Sequence, residues 1–420
     1  MKVLMRISAA KGYEVTGSDA VLSGHDAAYV KGADLVIYSS AISDSNPELI
    51  YAKGHGIEIM SRAEYLGQLA KKYETVIAVA GSHGKTTCTA MLGCIFARLN
   101  PTVHLGGAYG GECGRVGGER IFITEACEYR RNFLHLSPRV SVVLNVGLDH
   151  TDYYRDLTDV TDAFTVFSMS APVRIVSGDD PLSEPLRTGK YITFGLSESC
   201  DYRAEDITPT ADGIKFTLCR KNTRLGEIAL GVLGRHNALN ALAAAATALT
   251  LGLRFDEVKR GLSEFKGADR RLSKLGREEC VDFYTDYAHH PHEIECLYTA
   301  LRDAGYEKVC VAFEPHTYTR TQSLMGDFSE VLAKFDDVLL ASIYAAREDP
   351  VKGVSSQVLC RSIMDCGKPA RCFDTYFELN EGVKKVAEKY VKSEKKSAIV
   401  YCGAGTINTA YNSAFLSKKI

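Results

Sequence analysis

The sequence predicts an α/β protein of three domains whose sheets are mainly parallel. Short β-branched runs alternate with helical stretches along the chain, which is the pattern of strands joined by crossover helices. The chain has 420 residues, more than one core usually holds, since a domain spans roughly 100–200 residues. Polar side chains that can carry chemistry follow directly after predicted strands, as at the ligand-binding edge of an open parallel sheet.

Composition narrows the classes of function. Apolar residues make up 45% and charged residues 24%, as in an ordinary globular protein. The formal net charge is −2, so we predict no nucleic-acid partner and no attachment to a membrane surface. Thirteen cysteines without a C-x-x-C pair indicate a reducing compartment. Because the longest weakly polar run, residues 241–253, is shorter than the ~20 residues of a membrane helix and residues 1–10 lack a signal-peptide pattern, we predict a cytoplasmic protein.

The first domain is predicted over residues 1–73. A helix is expected to begin after Asn46, with Pro47 at its first position, and to close at Gly54, because these residue types favour helix starts and ends. Around it we predict three strands, at residues 14–17, 35–38 and 57–60.

Two further domains are predicted, over residues 74–266 and 267–420. The middle domain is expected to contain strands at residues 75–80, 121–124, 140–145 and 173–176 and helices at 86–99 and 237–251. The last domain is expected to contain strands at residues 281–284, 308–313, 337–341 and 398–401.

A glycine-rich loop joins the first strand of the middle domain to its helix. Its residues are Gly81, Ser82, His83, Gly84, Lys85, Thr86 and Thr87. Glycines let the backbone approach a phosphate, the helix start offers free N–H groups, and Lys85 adds a positive charge. Thr86 is placed for magnesium. The spacing departs from the common phosphate-loop pattern, since Val79 stands where its first glycine would be. A tight strand-to-helix turn is the alternative interpretation.

Acidic and histidine residues follow two other strands of the middle domain. Glu125 ends the strand at 121–124, and Asp149 and His150 follow the strand at 140–145. Magnesium prefers carboxylate oxygen, whereas imidazole suits manganese better, so Glu125 is the stronger metal candidate. Each residue taken alone is also compatible with an ordinary polar group in a loop.

The last domain carries three polar segments. They are Arg270-Arg271, Asp286 through Pro291 with His289 and His290, and His316 through Arg320. Guanidinium groups bind carboxylate or phosphate through two hydrogen bonds. Solvated surface charges are the alternative interpretation. The sequence lacks G-x-S-x-G, H-E-x-x-H and H-R-D motifs, so hydrolase, zinc-protease and kinase functions have no support.

Read together, these segments resemble the Mur ligase family, in particular its alanine-adding branch. The matching segments extend across nearly the whole chain: residues 12–19, 81–87, 125–131, 149–150, 234–240, 286–291 and 315–321. The resemblance implies a middle domain of the P-loop ATPase type between two Rossmann-like domains. It implies that ATP phosphorylates the lactyl carboxylate of UDP-N-acetylmuramate and that the amine of L-alanine then displaces phosphate.

The resemblance also implies a role for particular residues. Lys85 would hold the β- and γ-phosphates, Thr86 and Glu125 would bind magnesium, and His150 would bind a second metal ion, with manganese as the alternative to magnesium. Asn237 would contact adenine, Asp286 the ribose and Arg270 a phosphate. His290 and Arg320 would engage the incoming alanine or its carboxylate.

The sequence departs from the family at its start. Family members begin with a strand and a glycine-rich loop that meets the uridine diphosphate, but residues 1–10 align with the helix after that loop. We therefore expect a truncated first domain that binds UDP-N-acetylmuramate poorly and is the least stable of the three. Two alternatives stay open: a ligase that attaches a recycled tripeptide to the same nucleotide sugar, and a non-catalytic ATP-binding remnant. The sequence leaves the oligomeric state open.

Overall fold

The computed structural model describes residues 1–19, 23–150, 153–210 and 212–411. The chain forms two units, of which the first comprises Met1–Glu205, Thr217–Glu227 and Leu239–Phe265 and the second comprises Asp206–Phe216, Ile228–Ala238 and Lys266–Ile420. The α/β class with mainly parallel sheets is confirmed. The domain boundaries near residues 73 and 266 stay a prediction.

The N-terminal part of the first unit has a two-stranded parallel sheet with three helices. Its elements are α1 Lys2–Ala10, β1 Leu35–Tyr38, α2 Pro47–Gly54, β2 Glu58–Ser61 and α3 Arg62–Ala70. The predicted helix start at Asn46 is confirmed, since its side chain accepts hydrogen bonds from the N–H groups of Glu48 and Leu49. A small core of Val30, Val36, Leu49 and Ala52 joins β1 to α2, and Ile59 of β2 packs against it.

One predicted strand of this region is wrong. Residues 14–17 form no strand, because β1 pairs only with β2 and the described residues give 14–17 no ladder partner. A β-branched sequence without a neighbouring strand does not form a ladder, whatever its intrinsic propensity.

A ten-stranded sheet follows along the chain. It is built from β3 Thr75–Ala80, β4 Thr102–Tyr109, β5 Glu112–Arg115, β6 Ile121–Glu125, β7 Val140–Val143, β8 Val173–Ser177, β9 Ile192–Gly195, β10 Tyr202–Pro209, β11 Ile214–Arg220 and β12 Thr223–Leu230. The strand order is β12-β11-β10-β9-β8-β7-β3-β6-β4-β5. Strand β3 runs parallel to both β6 and β7. The loops after these three strands therefore emerge at the same edge of the sheet.

Four helices accompany this sheet: α4 Lys85–Ile95, α5 Leu157–Met169, α6 Arg235–Thr250 and α7 Phe255–Glu264. The predicted helix 86–99 ends early, because α4 gives way to a 3-10 turn at Ala97–Leu99 before Asn100 adopts a left-handed conformation with φ of 49°. The predicted strands 75–80, 121–124, 140–145 and 173–176 are found with end shifts of at most two residues. Strands β4, β5 and β9 to β12 were not predicted.

The second unit contains a six-stranded sheet of order β13-β14-β18-β15-β16-β17. Its elements are β13 Ser273–Glu278, β14 Val281–Asp286, α8 Pro291–Asp303, β15 Lys308–Phe313, α9 Tyr318–Ser323, α10 Met325–Leu332, β16 Asp337–Leu340, α11 Ser356–Asp365, β17 Ala370–Cys372, α12 Tyr376–Val391 and β18 Ser397–Cys402. All neighbours are parallel except β13 and β14. Buried apolar side chains cover both faces, which explains the continuous apolar runs of its strands. The four predicted strands are confirmed.

No helix in the described part of the chain is long and apolar enough to cross a membrane.

Candidate active site

The glycine-rich loop connects the end of β3 to the start of α4, as predicted. Gly84 is the N-cap of α4 and has φ of 88°, a left-handed conformation that favours glycine. Asn145 holds the loop through two hydrogen bonds. Its Oδ1 accepts a hydrogen bond from the His83 main-chain N–H at 2.9 Å, and its Nδ2 donates to the His83 carbonyl oxygen at 3.0 Å. Ser82 donates from Oγ to the Gly147 carbonyl at 3.0 Å. The loop is thus held from both sides before any ligand binds.

Lys85 points back across this loop. Its Nζ donates to the carbonyl oxygens of Gly81 at 2.5 Å and Ser82 at 3.3 Å, and lies 2.9 Å from Oε1 of Glu128. Burial is the largest effect on Lys85 and opposes its charge, but nearby acidic groups, chiefly the Glu128 carboxylate, together outweigh it and raise the pKa of the ammonium group. Lys85 is therefore a partly buried cation at the start of a helix, where a phosphate binds favourably.

Glu128 is a residue of this site to which the sequence analysis assigned no role. It is 2% exposed, and its Oε1 lies 2.9 Å from Lys85 Nζ and 3.8 Å from Nε2 of His150. Its Oε2 is buried and has no hydrogen-bond partner among the described residues. A second glutamate three residues after Glu125 was the available signal. Glu128 connects the phosphate loop to the segment after β7.

Replacing Glu128 by glutamine is expected to destabilise the first unit. The substitution keeps the shape but leaves the Lys85 ammonium buried without a counter-charge, and removing one partner of a buried pair costs about 3 kcal/mol. Urea denaturation followed by circular dichroism measures the change. Glu119→Gln is the matched control, because Glu119 pairs with Lys11 at 2.7 Å while 77% exposed. Equal midpoints for the two variants would contradict the role assigned to Glu128.

Glu125 and Thr86 lie against a pair of glycines in β4. The Gly106 N–H donates to Oε1 of Glu125 at 2.6 Å. A Cβ on Gly106 would lie 2.9 Å from Oε2 of Glu125, and one on Gly107 would lie 3.4 Å from Oγ1 of Thr86. Both side chains are buried, with 9% exposure for Glu125 and 8% for Thr86. Adjacent glycines inside a strand often mark such a close approach of the backbone.

A cavity of about 370 Å³ opens beside these residues. Lys85 and Glu125 both line it, so the structure brings these two predicted site residues together. The rest of its lining is Met1, Ser39, Ser40, Arg62, Ala63, Leu66, His104, Gly106, Cys127, Asn132, Phe133 and Leu136. The cavity therefore combines an arginine, a lysine and a carboxylate with apolar walls, which suits an anionic organic ligand.

His150 follows β7 and is placed next to Glu128. It has a left-handed φ of 56°, and its N–H donates to Oδ1 of Asp149 at 2.7 Å. Its ring lies 4.7 Å from that of Tyr129. In the described part of the chain, no group of three or more His, Cys, Asp or Glu side chains is arranged to hold a metal ion.

Asp286 and Arg270 lie together in the second unit. Asp286 ends β14, and its two oxygens accept hydrogen bonds from the N–H groups of Leu272 at 2.6 Å and Ala288 at 2.7 Å. Burial raises the pKa of Asp286 to about 6. Arg270 donates to the carbonyl oxygens of Gly403 at 2.6 Å and Gly405 at 3.0 Å. Both predicted ligand-binding residues thus also hold main-chain segments in place.

A second polar cluster of this unit, besides Asp286 and Arg270, follows β15 and contains His316 and Arg320. Nη1 of Arg320 lies 3.3 Å from Nδ1 of His316, and the His316 ring lies 5.7 Å from that of His289. Burial, with His289 and Arg320, lowers the pKa of His316 to about 4, so its ring is neutral and can accept a hydrogen bond from Arg320. The predicted segments 286–291 and 315–321 are therefore brought together.

Two other predicted residues of the second unit have local contacts. His290 is the N-cap of α8, and its Nδ1 accepts a hydrogen bond from the His292 N–H at 3.3 Å. Asn237 lies in α6 and donates from Nδ2 to the Leu233 carbonyl at 2.7 Å. The structure tests neither as a ligand-binding residue.

The chain belongs to the Mur ligase family, as the sequence resemblance predicted. Three family models match it: "Mur ligase family, catalytic domain" over residues 1–74, "Mur ligase middle domain" over residues 79–248, and "Mur ligase, glutamate ligase domain" over residues 270–405. Together they cover the phosphate loop and the second polar cluster.

Three proteins that are similar to this chain over most of its length have nearly the same name. The UDP-N-acetylmuramate--L-alanine ligase of Agathobacter rectalis is 36% identical over 97% of this chain and 93% of its own. The ligase of the same name from Caldicellulosiruptor saccharolyticus is 39% identical over 92% of this chain and 86% of its own. The solved UDP-N-acetylmuramate-alanine ligase of Thermotoga maritima is 26% identical, with a TM-score of 0.79 over 99% of this chain and 90% of its own.

Proposed function

We propose that this protein is an ATP-dependent ligase that joins L-alanine to the lactyl carboxylate of UDP-N-acetylmuramate, a step of peptidoglycan precursor synthesis in the cytoplasm. Membership of the Mur ligase family and relatives of that name at 36–39% identity support the proposal. The observation that carries it is the cavity where Lys85 of the phosphate loop and Glu125 line the same space.

The reaction proceeds through an acyl phosphate. A carboxylate oxygen of the sugar acid attacks the γ-phosphorus of ATP, the bond to the ADP oxygen breaks, and ADP leaves. The neutral amine of L-alanine then attacks the acyl carbon, phosphate leaves with the carboxylate oxygen, and the nitrogen loses a proton. Little covalent chemistry is required of the protein, so positioning and neutralisation of charge dominate.

Lys85 and the loop amides supply this neutralisation in the first unit. Lys85 exchanges its contacts with Gly81 and Ser82 for phosphate oxygens, to which an ammonium group binds more strongly. Thr86 and Glu125 fit magnesium, since one hydroxyl and one carboxylate suffice for an ion that also binds waters and substrate phosphates. Bound magnesium reduces the negative charge on the phosphates. His150 is the candidate ligand of a second ion, for which manganese is better suited.

The second unit supplies the remaining binding groups in this proposal. Arg320, whose Nη1 lies 3.3 Å from Nδ1 of His316, binds the incoming L-alanine through its carboxylate, and His290 engages the alanine or its carboxylate as well. Asn237 contacts adenine, Asp286 the ribose and Arg270 a phosphate. These assignments follow the family resemblance, and each can be tested by replacing the residue and measuring KM for the substrate that it is assigned to bind.

Phosphate release tests the proposed function. The chain is incubated with ATP and magnesium, with UDP-N-acetylmuramate and L-alanine together and with each left out in turn. We expect release only when both are present. Serine and glycine then replace alanine to measure selectivity, and the tripeptide L-Ala-γ-D-Glu-meso-diaminopimelate tests the recycling alternative. Release that is independent of the sugar, or that requires the tripeptide, would overturn the proposal.

A further inference from the structure

His104 lines the cavity beside Lys85 and Glu125 without belonging to the phosphate loop. It is 5% exposed and lies opposite Thr124 in the parallel pairing of β4 with β6. Paired residues of neighbouring strands point to the same face of a sheet. Accordingly, Nδ1 of His104 lies 3.0 Å from Oγ1 of Thr124.

The hydroxyl of Thr124 determines which nitrogen of His104 carries the proton. Its Oγ1 donates its only hydrogen to the main-chain carbonyl of Glu125 at 2.9 Å, and a carbonyl cannot donate in return. The hydroxyl can then only accept a hydrogen bond from His104. Nδ1 is therefore the N–H donor, and Nε2 carries the lone pair.

The lone pair of Nε2 is available to a ligand. Within the described residues, the only hydrogen bond of the His104 ring is the one from Nδ1 to Thr124. Burial, together with the nearby Arg62, lowers the pKa of His104 to about 3. The ring is neutral near pH 7, so Nε2 remains an acceptor and does not compete with Lys85 or Arg62 for anionic groups.

We propose that Nε2 of His104 accepts a hydrogen bond from a neutral O–H or N–H donor of the sugar acid, which makes His104 a specificity-determining residue of the cavity. This inference rests on the proposed function, which places the sugar acid there. A ligand without a donor at this position leaves a buried acceptor unpaired, and sites built to bind a hydroxyl or amide group reject analogues that lack it for this reason.

Two substitutions separate the two nitrogens of the ring. Asparagine places an amide N–H near the Nδ1 position and so keeps the hydrogen bond to Thr124, but it has no atom at the Nε2 position. Glutamine extends further and places its amide oxygen there. We expect His104→Asn to raise KM for UDP-N-acetylmuramate about tenfold, which corresponds to the loss of one buried hydrogen bond. KM for ATP and for L-alanine should stay unchanged, and His104→Gln should lie within about threefold of wild type.

Failure of the proposed function and failure of the role of His104 give different results in these assays. If wild type forms no product, the proposed function fails. If wild type is active and both variants keep its KM for the sugar, or lose affinity equally, the specificity role of His104 is overturned. The tautomer is tested without turnover by NMR of protein labelled with ¹⁵N-histidine, where the His104 signal is the one absent from the asparagine variant. We expect the Nδ1–H form, and observation of Nε2–H would overturn the inference.

Discussion

Replacing Lys85 by alanine is expected to reduce kcat for ligation by about 10²–10³, because removing one group that stabilises developing charge has an effect of this size. Lys85 is the partly buried cation of the phosphate loop, and its Nζ lies 2.5 Å from the Gly81 carbonyl oxygen and 2.9 Å from Oε1 of Glu128. Phosphate release with saturating UDP-N-acetylmuramate and L-alanine measures the effect.

The control for Lys85 is Lys53→Ala, which removes a lysine that is 59% exposed. It should leave kcat unchanged. Because Lys85→Ala also leaves Glu128 unpaired, the circular dichroism spectrum at the assay temperature must match that of wild type. A folded Lys85→Ala variant with near-normal turnover would remove the basis for assigning the phosphate loop to ATP.

Replacing Arg320 by alanine is expected to raise KM for L-alanine by about 30- to 700-fold, since loss of a partner for a buried carboxylate costs roughly 2–4 kcal/mol. KM for ATP should change little. Steady-state kinetics with each substrate varied in turn measures both values. Arg361→Ala, which changes an exposed arginine on α11, is the control. If alanine saturation were unaltered while ATP binding collapsed, Arg320 would have to be assigned to the nucleotide.

The sequence predicted those parts of the fold that are determined by residues close to each other along the chain. The glycine loop lies between β3 and α4 as expected, because a phosphate loop is defined by glycines and a helix start that are adjacent in sequence. The helix beginning after Asn46 was predicted for the same reason: its cap bonds to residues two and three positions later.

Long-range pairing explains what could not be predicted. Residues 14–17 have a β-branched sequence but no ladder partner, and propensity alone does not reveal a missing neighbour. Glu128 has a role only because the fold brings Lys85 next to it, and His104 only because β6 places Thr124 beside it. Neither is adjacent in sequence to the group that defines it.

Transfer of ¹⁸O tests most directly whether this site forms an amide through an acyl phosphate. UDP-N-acetylmuramate labelled with ¹⁸O in both oxygens of the lactyl carboxylate is incubated with ATP, magnesium, L-alanine and the protein, and the released phosphate is analysed by mass spectrometry. The acyl-phosphate route predicts one ¹⁸O atom in each phosphate, because the oxygen that attacks the γ-phosphorus leaves with it when the amide forms. Unlabelled phosphate, or release of AMP and pyrophosphate in its place, would contradict the assignment of this site as an amide-forming ligase centre.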